Sequence, residues 1–412
     1  MTAPNDPRQF FAPTREAGED AARAFAERMG KHYEKGRNFD RGAGRHRDVS
    51  TLSPYIRRRM VLERDVVALA LEAHGPEAAE KFVQEVIWRG YFKGWLERRP
   101  QVWESYRSGL EGDLAVLERD RKLRRDVEAA EAGQTGLACF DAWAEELVET
   151  GYLHNHARMW FASIWIFTLG LPWRVGADFF LRHLLDGDPA SNTLGWRWVA
   201  GLHTRGKPYH AQAWNIAKFT GGRFQPRDRD LAEVVEGLEG TEPDGLPPVQ
   251  PVRRPTEPDP SKPSLLLVTE DDARPEDLDL AHFDIRQVIT LSATHLRSPR
   301  AVSDLVTAFD EAALGDAVRR AGITAEARRA GVPGDLATWA RKAGASQIIT
   351  SFTPQGPLRD WLVEAAPPLQ AEGIAFTEWS RDWDGLIWPH ATAGFFKVKK
   401  KIPEILHKSG LL

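Results

Sequence analysis

The sequence predicts a helical domain followed by an α/β domain, and a change of hydrophobic pattern between the two halves indicates this fold class. The first half carries apolar residues at spacings of three and four with no alternating run, which is typical of packed helices. The second half alternates short apolar or β-branched runs with helical stretches, which is typical of a parallel sheet. The chain of 412 residues is also longer than the roughly 100–200 residues of one ordinary domain.

Six helices are predicted before residue 240. Thr14 can cap the first, and Ser53 with Pro54 gives an N-cap followed by proline at the first helical position. Gly75-Pro76 is expected to end the second helix. The predicted helical ranges are 14–29, 54–74, 77–98, 139–150, 154–168 and 174–185.

A proline-rich stretch follows the helical half. Eight prolines lie between residues 242 and 263, and such a density excludes a helix and favours an extended, semi-rigid linker. The predicted organisation is therefore a helical domain over residues 1–240, a linker over 241–263 and a second domain over 264–412.

Four strands are predicted after the linker, at 265–269, 286–290, 347–350 and 374–377, with helices at 299–320, 334–343 and 358–371. Right-handed crossovers between such strands give a parallel sheet covered on both faces, so we expect a Rossmann-like α/β domain. Neither GxGxxG nor GxxxxGK[ST] follows any of these strands, and the sequence gives no support for a phosphate-binding loop there.

The composition is that of a soluble globular chain, with 42% hydrophobic and 28% charged residues. Its formal charge is −4, so affinity for nucleic acid would need a local basic patch. The single cysteine, Cys139, excludes an intramolecular disulfide and a cysteine-ligated iron–sulfur cluster and fits the reducing cytoplasm. We find no signal-peptide pattern, and the most apolar run, 160–173, is shorter than the ~20 residues of a membrane span.

Two polar clusters fall in the most aromatic stretches of the first half. His154, Asn155 and Arg158 begin one helix, and Asp186 and Asp188 follow the next. An arginine and an aspartate in such surroundings predict a buried ion pair. Such a pair is costly to bury and often belongs to a functional site rather than contributing to stability. A metal cluster of these histidines and aspartates matches no standard zinc spacing, so histidines satisfied within the core are favoured. Each nearby tryptophan, taken alone, is expected in the core.

Taken together, these stretches resemble the FAD-binding domain of the photolyase/cryptochrome family over most of residues 30–226. The matching motifs are Tyr33-Glu-Lys-Gly-Arg37, Ser50-Thr-Leu-Ser-Pro54, Glu85-Val-Ile-Trp-Arg-Gly-Tyr-Phe92, Thr135-Gly136 with Asp141, Gly151-Tyr-Leu-His-Asn-His-Ala-Arg158, Leu185-Asp-Gly-Asp188, Asn192, Gly195-Trp-Arg-Trp198, and Pro208-Tyr209 with Asn215. These motifs are long and occur in the family's order.

The resemblance implies FAD as the cofactor. It places the turn of residues 50–53 at the phosphates, where N–H groups opening a helix would suit an anion. It places Arg158 and Asp186 as an ion pair beside the isoalloxazine ring, Asp188 near the adenine half and Asn192 at flavin N5, where photolyases typically have Asn. The residues implied to hold the cofactor are Tyr33, Ser50, Thr51, Leu52, Ser53, Arg89, Arg158, Asp186, Asp188 and Asn192.

The resemblance also implies a pocket for a cyclobutane pyrimidine dimer flipped out of DNA. All five residue types that line this pocket in dimer-repairing photolyases are present, at Glu85, Trp88, Asn155, Met159 and Trp198. The two indoles would form flat walls for the dimer. Glu85 would hydrogen-bond the base edge and stabilise the anion formed when the excited reduced flavin donates an electron.

The tryptophan relay of the family is matched in part. Trp196 and Trp173 stand at two of its positions, but the outermost position falls near Asp120. Three tryptophans are left open as substitutes for it, namely Trp143, Trp160 and Trp165.

The family's DNA contacts are also matched in part. His156 and Ala211 replace two of the cations, which should weaken phosphate binding, whereas Arg37 matches a third. Residues 31–64 hold ten lysines or arginines against four acidic residues, and the glycine-rich loop in this stretch makes Arg45 and Arg47 candidate phosphate contacts. For the run of arginines at 57–59, a solvated helix face is an equally favoured interpretation.

The end of the chain resembles the end of the α/β antenna domain that usually comes first in this family. A strand at 373–376 leads to Trp388-Pro389 and then to residues 394–398. A permuted domain order follows as a hypothesis, with any second antenna chromophore left unknown.

Three functions compete on this sequence. The main interpretation is an FAD-dependent, light-driven DNA repair flavoprotein, a deoxyribodipyrimidine photolyase-like lyase whose partner is DNA containing pyrimidine dimers. The alternative is a cryptochrome-like blue-light photoreceptor that signals through a protein partner. A flavoprotein without a light function is the third. The complete lesion pocket favours the first interpretation, whereas the two missing DNA-contacting cations favour the second.

Overall fold

The computed structural model describes residues 10–412, so the N-terminal segment that was searched for a signal peptide begins outside the described residues. The first part of this range is helical and the second part is built on a parallel sheet, which confirms the predicted fold class. Within the described range, every helix is too short or too polar to cross a lipid bilayer.

The helical part contains eleven α-helices within the described range. They are α1 (Arg15–Phe25), α2 (Lys31–Gly36), α3 (Ser53–Arg57), α4 (Glu63–Glu97), α5 (Pro100–Arg119), α6 (Arg121–Glu131), α7 (Ala138–Thr150), α8 (Asn155–Ser163), α9 (Trp173–His183), α10 (Pro189–Val199) and α11 (Ala213–Phe219). Helix α8 continues into a π-helical turn over Ile164–Thr168. Helix α10 packs against α4, α8 and α9, and these four helices carry most of the predicted site residues.

The α/β part is a sheet of five parallel strands in the order β3-β2-β1-β4-β5. The strands are β1 (Ser264–Thr269), β2 (Ile285–Ser292), β3 (Glu326–Arg329), β4 (Gln347–Ser351) and β5 (Ala375–Trp379). The helices are α12 (Asp304–Arg320), α13 (Asp335–Lys342), α14 (Pro357–Ala371), α15 (Asp382–Ile387), α16 (Phe396–Lys399) and α17 (Ile402–Lys408). The direction of strand order reverses between β1 and β4, the place where such sheets form a crevice.

The helix predicted over 54–74 is wrong. Helix α3 starts at Ser53, with Leu52 rather than Ser53 as its N-cap residue, and ends at Arg57. Arg59 then adopts a positive φ of 55°, which no helix tolerates, and a new helix starts at Glu63. The predicted break at Gly75 is present, since its φ of 68° and ψ of 170° divide α4 into two helical stretches.

The three arginines at the end of α3 lie between the two parts of the molecule. Arg57 is 4% exposed and its Nη1 lies 2.7 Å from Asp271. Arg58 is fully buried against Asp310, and Arg59 Nη2 lies 2.6 Å from Asp384. The interpretation of these arginines as a solvated helix face is therefore wrong. They fix the α/β part to the helical part.

The proline-rich segment is extended, as expected, but it packs against both parts of the molecule. Arg197 on α10 binds Glu242 at its start with an N–O distance of 2.7 Å. The backbone N–H of Gln250 donates to the carbonyl of Arg98 at 2.9 Å. Near its end, the N–H of Asp259 donates to the side-chain oxygen of Gln347 on β4 at 3.1 Å. The segment therefore acts as a packed strap along the molecule.

Candidate flavin and DNA site

An arginine–carboxylate pair lies at the centre of the helical part. Arg158 on α8 places Nη2 2.9 Å from Oδ2 of Asp186, which lies between α9 and α10. The Nε of Arg158 donates to the carbonyl of Leu153 at 2.8 Å, which fixes the guanidinium. Burial raises the pKa of Asp186, but Arg158 and Arg89 lower it by more, so the carboxylate stays ionised. Its Oδ1 is buried without a hydrogen-bond partner among the described residues.

A second buried carboxylate lies two residues further on. Asp188 caps α10, because its Oδ1 accepts from the N–H of Ser191 at 2.9 Å. Its Oδ2 lies 2.6 Å from Nζ of Lys93. Burial raises the pKa of Asp188, but Lys93, Arg57 and Arg89 lower it well below its usual range. Lys93 was not among the site residues predicted from the sequence, although its spacing of four from Arg89 puts both cations on one face of α4.

Arg89 connects the two carboxylates electrostatically. Its charge lowers the pKa of both Asp186 and Asp188. Its Nη1 is nevertheless buried with no hydrogen-bond partner among residues 10–412. A buried guanidinium N–H without an acceptor is costly. This group therefore has an N–H free to donate to an anionic ligand at this place.

The turn at residues 50–53 lies next to this cluster. Thr51 has a positive φ of 52° and lines a cleft of about 310 Å³ together with Tyr152 and the glycine-rich loop. Arg45 and Arg47 are exposed in that loop and line the same cleft. The expected helix N-terminus is a weak feature, because α3 has only five residues. An anion here would depend on side chains rather than on a helix dipole.

Two further predicted cofactor residues have defined surroundings. Tyr33 lies edge-on to Phe82 with ring centroids 5.0 Å apart, and burial, with Glu85 nearby, raises the pKa of its hydroxyl. Asn192 is 8% exposed, and its Nδ2 donates to the carbonyl of Ala177 at 2.8 Å. This bond fixes the side-chain amide on the inner face of α10.

The predicted lesion residues lie on α4, α8 and α10, and α10 packs against both of the other helices. Glu85, Trp88, Met159 and Trp198 are half-buried, and Asn155 is exposed at the start of α8. The carboxylate of Glu85 is already paired, with Arg37 Nη1 at 3.2 Å and Lys81 Nζ at 2.9 Å. Arg37, predicted to contact DNA, therefore also holds the predicted catalytic carboxylate.

Trp88 has a neighbour that the sequence did not predict. The ring of Phe395, from the segment before α16, stacks on its indole with centroids 3.9 Å apart and an interplanar angle of 24°. Tyr91 and Phe92 meet the same indole edge-on, at 6.1 Å each. Phe395 covers one face of Trp88, and its role is invisible in the sequence because it depends on a contact between distant parts of the chain.

The histidines of the aromatic stretches belong to the core, as expected. Burial lowers the pKa of His154 to about 3. His156 stacks on Trp160 at 4.1 Å, and its Nδ1 lies 3.0 Å from the carbonyl of Asn38. Ala211 is 3% exposed. The two positions that lack the family's DNA-contacting cations are therefore also buried.

One cluster has the residue types of a metal site. Asp40, His46 and Glu146 bring their ligand atoms within 4.8 Å of one another. However, Asp40 Oδ2 accepts from Arg223 Nη2 at 2.6 Å and from Trp143 Nε1 at 3.0 Å, and His46 Nε2 lies 2.8 Å from Glu146. The guanidinium already balances the charge of Asp40, so this cluster needs no cation.

The indoles divide into separate groups. Trp165 meets Trp196 edge-on at 6.3 Å, and Gly176 makes this approach possible because a Cβ there would clash with both rings. Trp143 and Trp160 stack on each other at 5.4 Å and lie beside His156 rather than Trp196. Trp173 lies against Tyr106, which in turn contacts Trp103. Asp120, at the family's outermost position, is the N-cap of α6.

Comparison with known protein families matches the stretch of chain that carries most of these residues. Residues 82–229 match the family model described as the FAD binding domain of DNA photolyase. That match contains α8 to α10 and most of the residues described above. This stretch therefore has the sequence pattern of a flavin-binding helical domain, and specifically that of photolyases.

Individual relatives show how far the likeness extends. The deoxyribodipyrimidine photo-lyase of Streptomyces griseus is 37% identical over 161 residues, which cover 39% of this chain and 34% of that protein. An enzyme of the same name from Thermus thermophilus is 36% identical over 209 residues, covering 48% and 46%. The class III photolyase structure from Agrobacterium tumefaciens shares 26% identity over 54% of this chain and 46% of that one, with a TM-score of 0.43. The chain thus spans less than half the length of these curated relatives.

Proposed function

We propose that this chain binds FAD and uses blue light to reverse cyclobutane pyrimidine dimers in DNA, as a deoxyribodipyrimidine photolyase-like enzyme. The observation that carries the proposal is the pair of half-buried Arg158 and buried Asp186, together with nearby polar atoms that lack hydrogen-bond partners among the described residues. Relatives named deoxyribodipyrimidine photo-lyase match the same stretch and support it.

The described residues fit a bound flavin dinucleotide. Arg89 Nη1, Asp186 Oδ1 and Trp196 Nε1 are buried donors or acceptors without a partner in the described range. A dinucleotide offers phosphate oxygens for the guanidinium and ring or ribose hydrogen-bonding groups for the carboxylate. Arg89 and the side chains of residues 50–53 would hold the phosphates, Arg158 and Asp186 would flank the isoalloxazine ring, and Asn192 would lie at its N5.

The protein's own residues would orient the reactants and stabilise charge. When bound and reduced, the flavin supplies the electron on absorbing light. Trp88 and Trp198 would hold the dimer between flat apolar surfaces. Glu85, held between Arg37 and Lys81, would accept a hydrogen bond from an N–H at the base edge and so orient the dimer, and the two cations beside it would stabilise negative charge developing there.

The test is repair by the purified full-length protein. The protein would be loaded with FAD, reduced and illuminated with an oligonucleotide containing one thymine dimer, while restored thymine absorbance is followed. We expect repair in light but not in darkness, and a loss of at least tenfold in Glu85→Gln. Glu149→Gln, on the exposed face of α7, is the matched control and should repair normally. A protein that stays colourless when FAD is added would overturn the proposal.

The second candidate function is a cryptochrome-like photoreceptor with a protein partner. Two positions favour it. His156 and Ala211 stand where the family has DNA-contacting cations, and both are buried, so two phosphate contacts are missing. Flavin binding with light-driven reduction, but without dimer repair or preference for damaged DNA, is the result that would support this function.

We also propose that the α/β part is the family's antenna domain placed after the flavin domain. Its parallel sheet and the sequence of residues 373–398 support this, and the strap of residues 241–263 would be the junction. A second chromophore would add visible absorbance beyond that of FAD in the purified protein.

A further inference from the structure

We propose that residues 394–401, here called the C-terminal lip, contact DNA beside the predicted lesion pocket, through the ring of Phe396 and the ammonium groups of Lys397 and Lys400. The inference rests on the proposed DNA repair function and adds a binding surface that the family resemblance does not supply.

The lip is held in a fixed position by buried side chains. Phe395 is 6% exposed, stacks on Trp88 at 3.9 Å and meets Tyr91 edge-on at 5.5 Å. Val398 is fully buried on the same side of α16. The lip is therefore anchored directly on a residue predicted to form a wall of the lesion pocket.

The outer side of the lip carries an unusual pair of features. Phe396 is 75% exposed, a large apolar surface left in water. Lys397 and Lys400 are exposed one and four residues after it in the same short segment, and neither lies within 4 Å of a carboxylate in residues 10–412. By contrast, Lys401 Nζ is 2.9 Å from Glu404, and Lys399 Nζ is 3.8 Å from Glu80.

An exposed aromatic ring close in the chain to cations that have no carboxylate partner among the described residues has the chemistry of a nucleic-acid contact. Ammonium groups bind phosphates, and an aromatic ring stacks on a base or sugar that is no longer paired. A flipped dimer leaves unpaired bases in the duplex beside it. DNA is favoured over a protein partner because DNA repair requires phosphate contacts. His156 and Ala211, at two of the family's DNA-contacting positions, supply no fixed cation, whereas the lip supplies two.

The test measures DNA affinity of the full-length protein as a function of salt. The probes are a fluorescent duplex with one thymine dimer and the same duplex without it. Lys397→Gln with Lys400→Gln should lower the slope of log affinity against log salt by roughly 1.8, since each phosphate contact contributes about 0.9. Phe396→Ala should weaken binding of the damaged duplex by roughly fivefold or more. Lys342→Ala with Val332→Ala, both exposed in the α/β part, should change neither quantity.

The outcomes separate this inference from the proposed function. If the wild type repairs dimers and the lip variants bind DNA with unchanged slope and affinity, the lip inference is overturned and the proposed function stands. If the wild type binds no DNA, both are overturned. Vesicles of phosphatidylserine are a further arm, and lip-dependent binding to them without lip-dependent binding to DNA would also overturn the inference.

Discussion

The indole of Trp88 and the ring of Phe395 stack 3.9 Å apart, so a residue near the end of the chain supports a predicted wall of the lesion pocket. Trp88 is half-buried, and the stacked ring covers only one of its faces. Phe395 thus acts as a positioning residue, because its stacking contact restricts the orientation of the Trp88 indole.

Replacing Phe395 by alanine should therefore weaken the site without removing flavin. We expect Phe395→Ala to reduce affinity for dimer-containing DNA several-fold, because Trp88 gains freedom to rotate, and to lower the free energy of unfolding by about 3–5 kcal/mol. Phe395→Tyr should restore binding because it keeps the stacked ring. Equal losses in both variants would contradict a positioning role, and flavin content measured by visible absorbance separates misfolding from loss of contact.

The pair of Arg158 and Asp186 should be required for flavin retention. In Asp186→Asn the side chain keeps its shape but loses the charge that balances the half-buried guanidinium groups of Arg158 and Arg89. We expect at least tenfold less flavin in the purified protein, read as the ratio of visible to protein absorbance. Asp113→Asn is the matched control, because Asp113 also pairs with an arginine, Arg174, at 3.3 Å but lies away from the site. Normal flavin content in Asp186→Asn would argue against the cofactor assignment.

The attachment of the α/β part should depend on Asp310. This carboxylate is fully buried and accepts from Arg58 Nε at 2.5 Å, Arg297 Nη2 at 2.8 Å and Thr294 Oγ1 at 2.7 Å. Removing its charge leaves two guanidinium groups buried, which typically costs about 3–5 kcal/mol. Asp310→Asn should lower the free energy of unfolding by that amount in chemical denaturation. Asp360→Asn, a more exposed acceptor for Trp103 and Arg107, should cost under about 1 kcal/mol.

Hydrophobic pattern was enough to predict most of the fold, but not its edges and junctions. Every residue of strands β1 and β4 is buried, and both strands lie where their apolar and β-branched residues predicted them. Strand β3 was missed because its four residues, Glu326–Arg329, are all exposed at the sheet edge and carry three charges. The charged run at 57–59 was misinterpreted for the complementary reason, since its partners come from a distant part of the chain.

The site was predictable where sequence motifs, or spacing within one element, set it. The pairing of Arg158 with Asp186 could be inferred because two motifs carried it, and the structure brings them together at 2.9 Å. Lys93 follows Arg89 at helical spacing and could have been found. Phe395 could not, because nothing local to residue 88 or residue 395 indicates their stacking.

Stability should fall as pH rises, through buried acids between the two parts. Glu97 on α4 is 4% exposed and accepts from the N–H of Gln355, and burial raises its pKa from 4.5 to about 7. Burial likewise raises the pKa of Glu63 to about 7 and of Glu270 to about 8. When the pKa of an acid is higher in the folded state than in the unfolded state, the free energy of unfolding of the protein falls as pH rises from the unfolded pKa to the folded pKa. Here that range is from about 4.5 to about 7 or 8.

Glu97→Gln tests this pH dependence at one position. The amide keeps an acceptor for the Gln355 N–H and cannot ionise, so the variant should unfold at a higher temperature than the wild type at pH 8 and show little difference at pH 5. Thermal unfolding followed by circular dichroism at the two pH values measures this. Glu364→Gln, exposed on α14, is the control. A stabilisation that is the same at both pH values would show that ionisation of Glu97 is not its cause.

Re-reduction of the flavin by light should depend on Trp165 more than on the other candidate substitutes for the missing outer relay residue. Electron transfer between aromatic rings favours short separations, and Trp165 is 6.3 Å from Trp196, whereas Trp143 and Trp160 form their own stack beside His156. Trp165→Phe should slow photoreduction of the oxidised, flavin-loaded protein by an external thiol at least fivefold. Trp143→Phe, equally buried, should leave the rate within twofold of the wild type. If Trp143→Phe is the slower variant, electrons enter through the stack beside His156, and the edge-on contact of Trp165 with Trp196 is only packing.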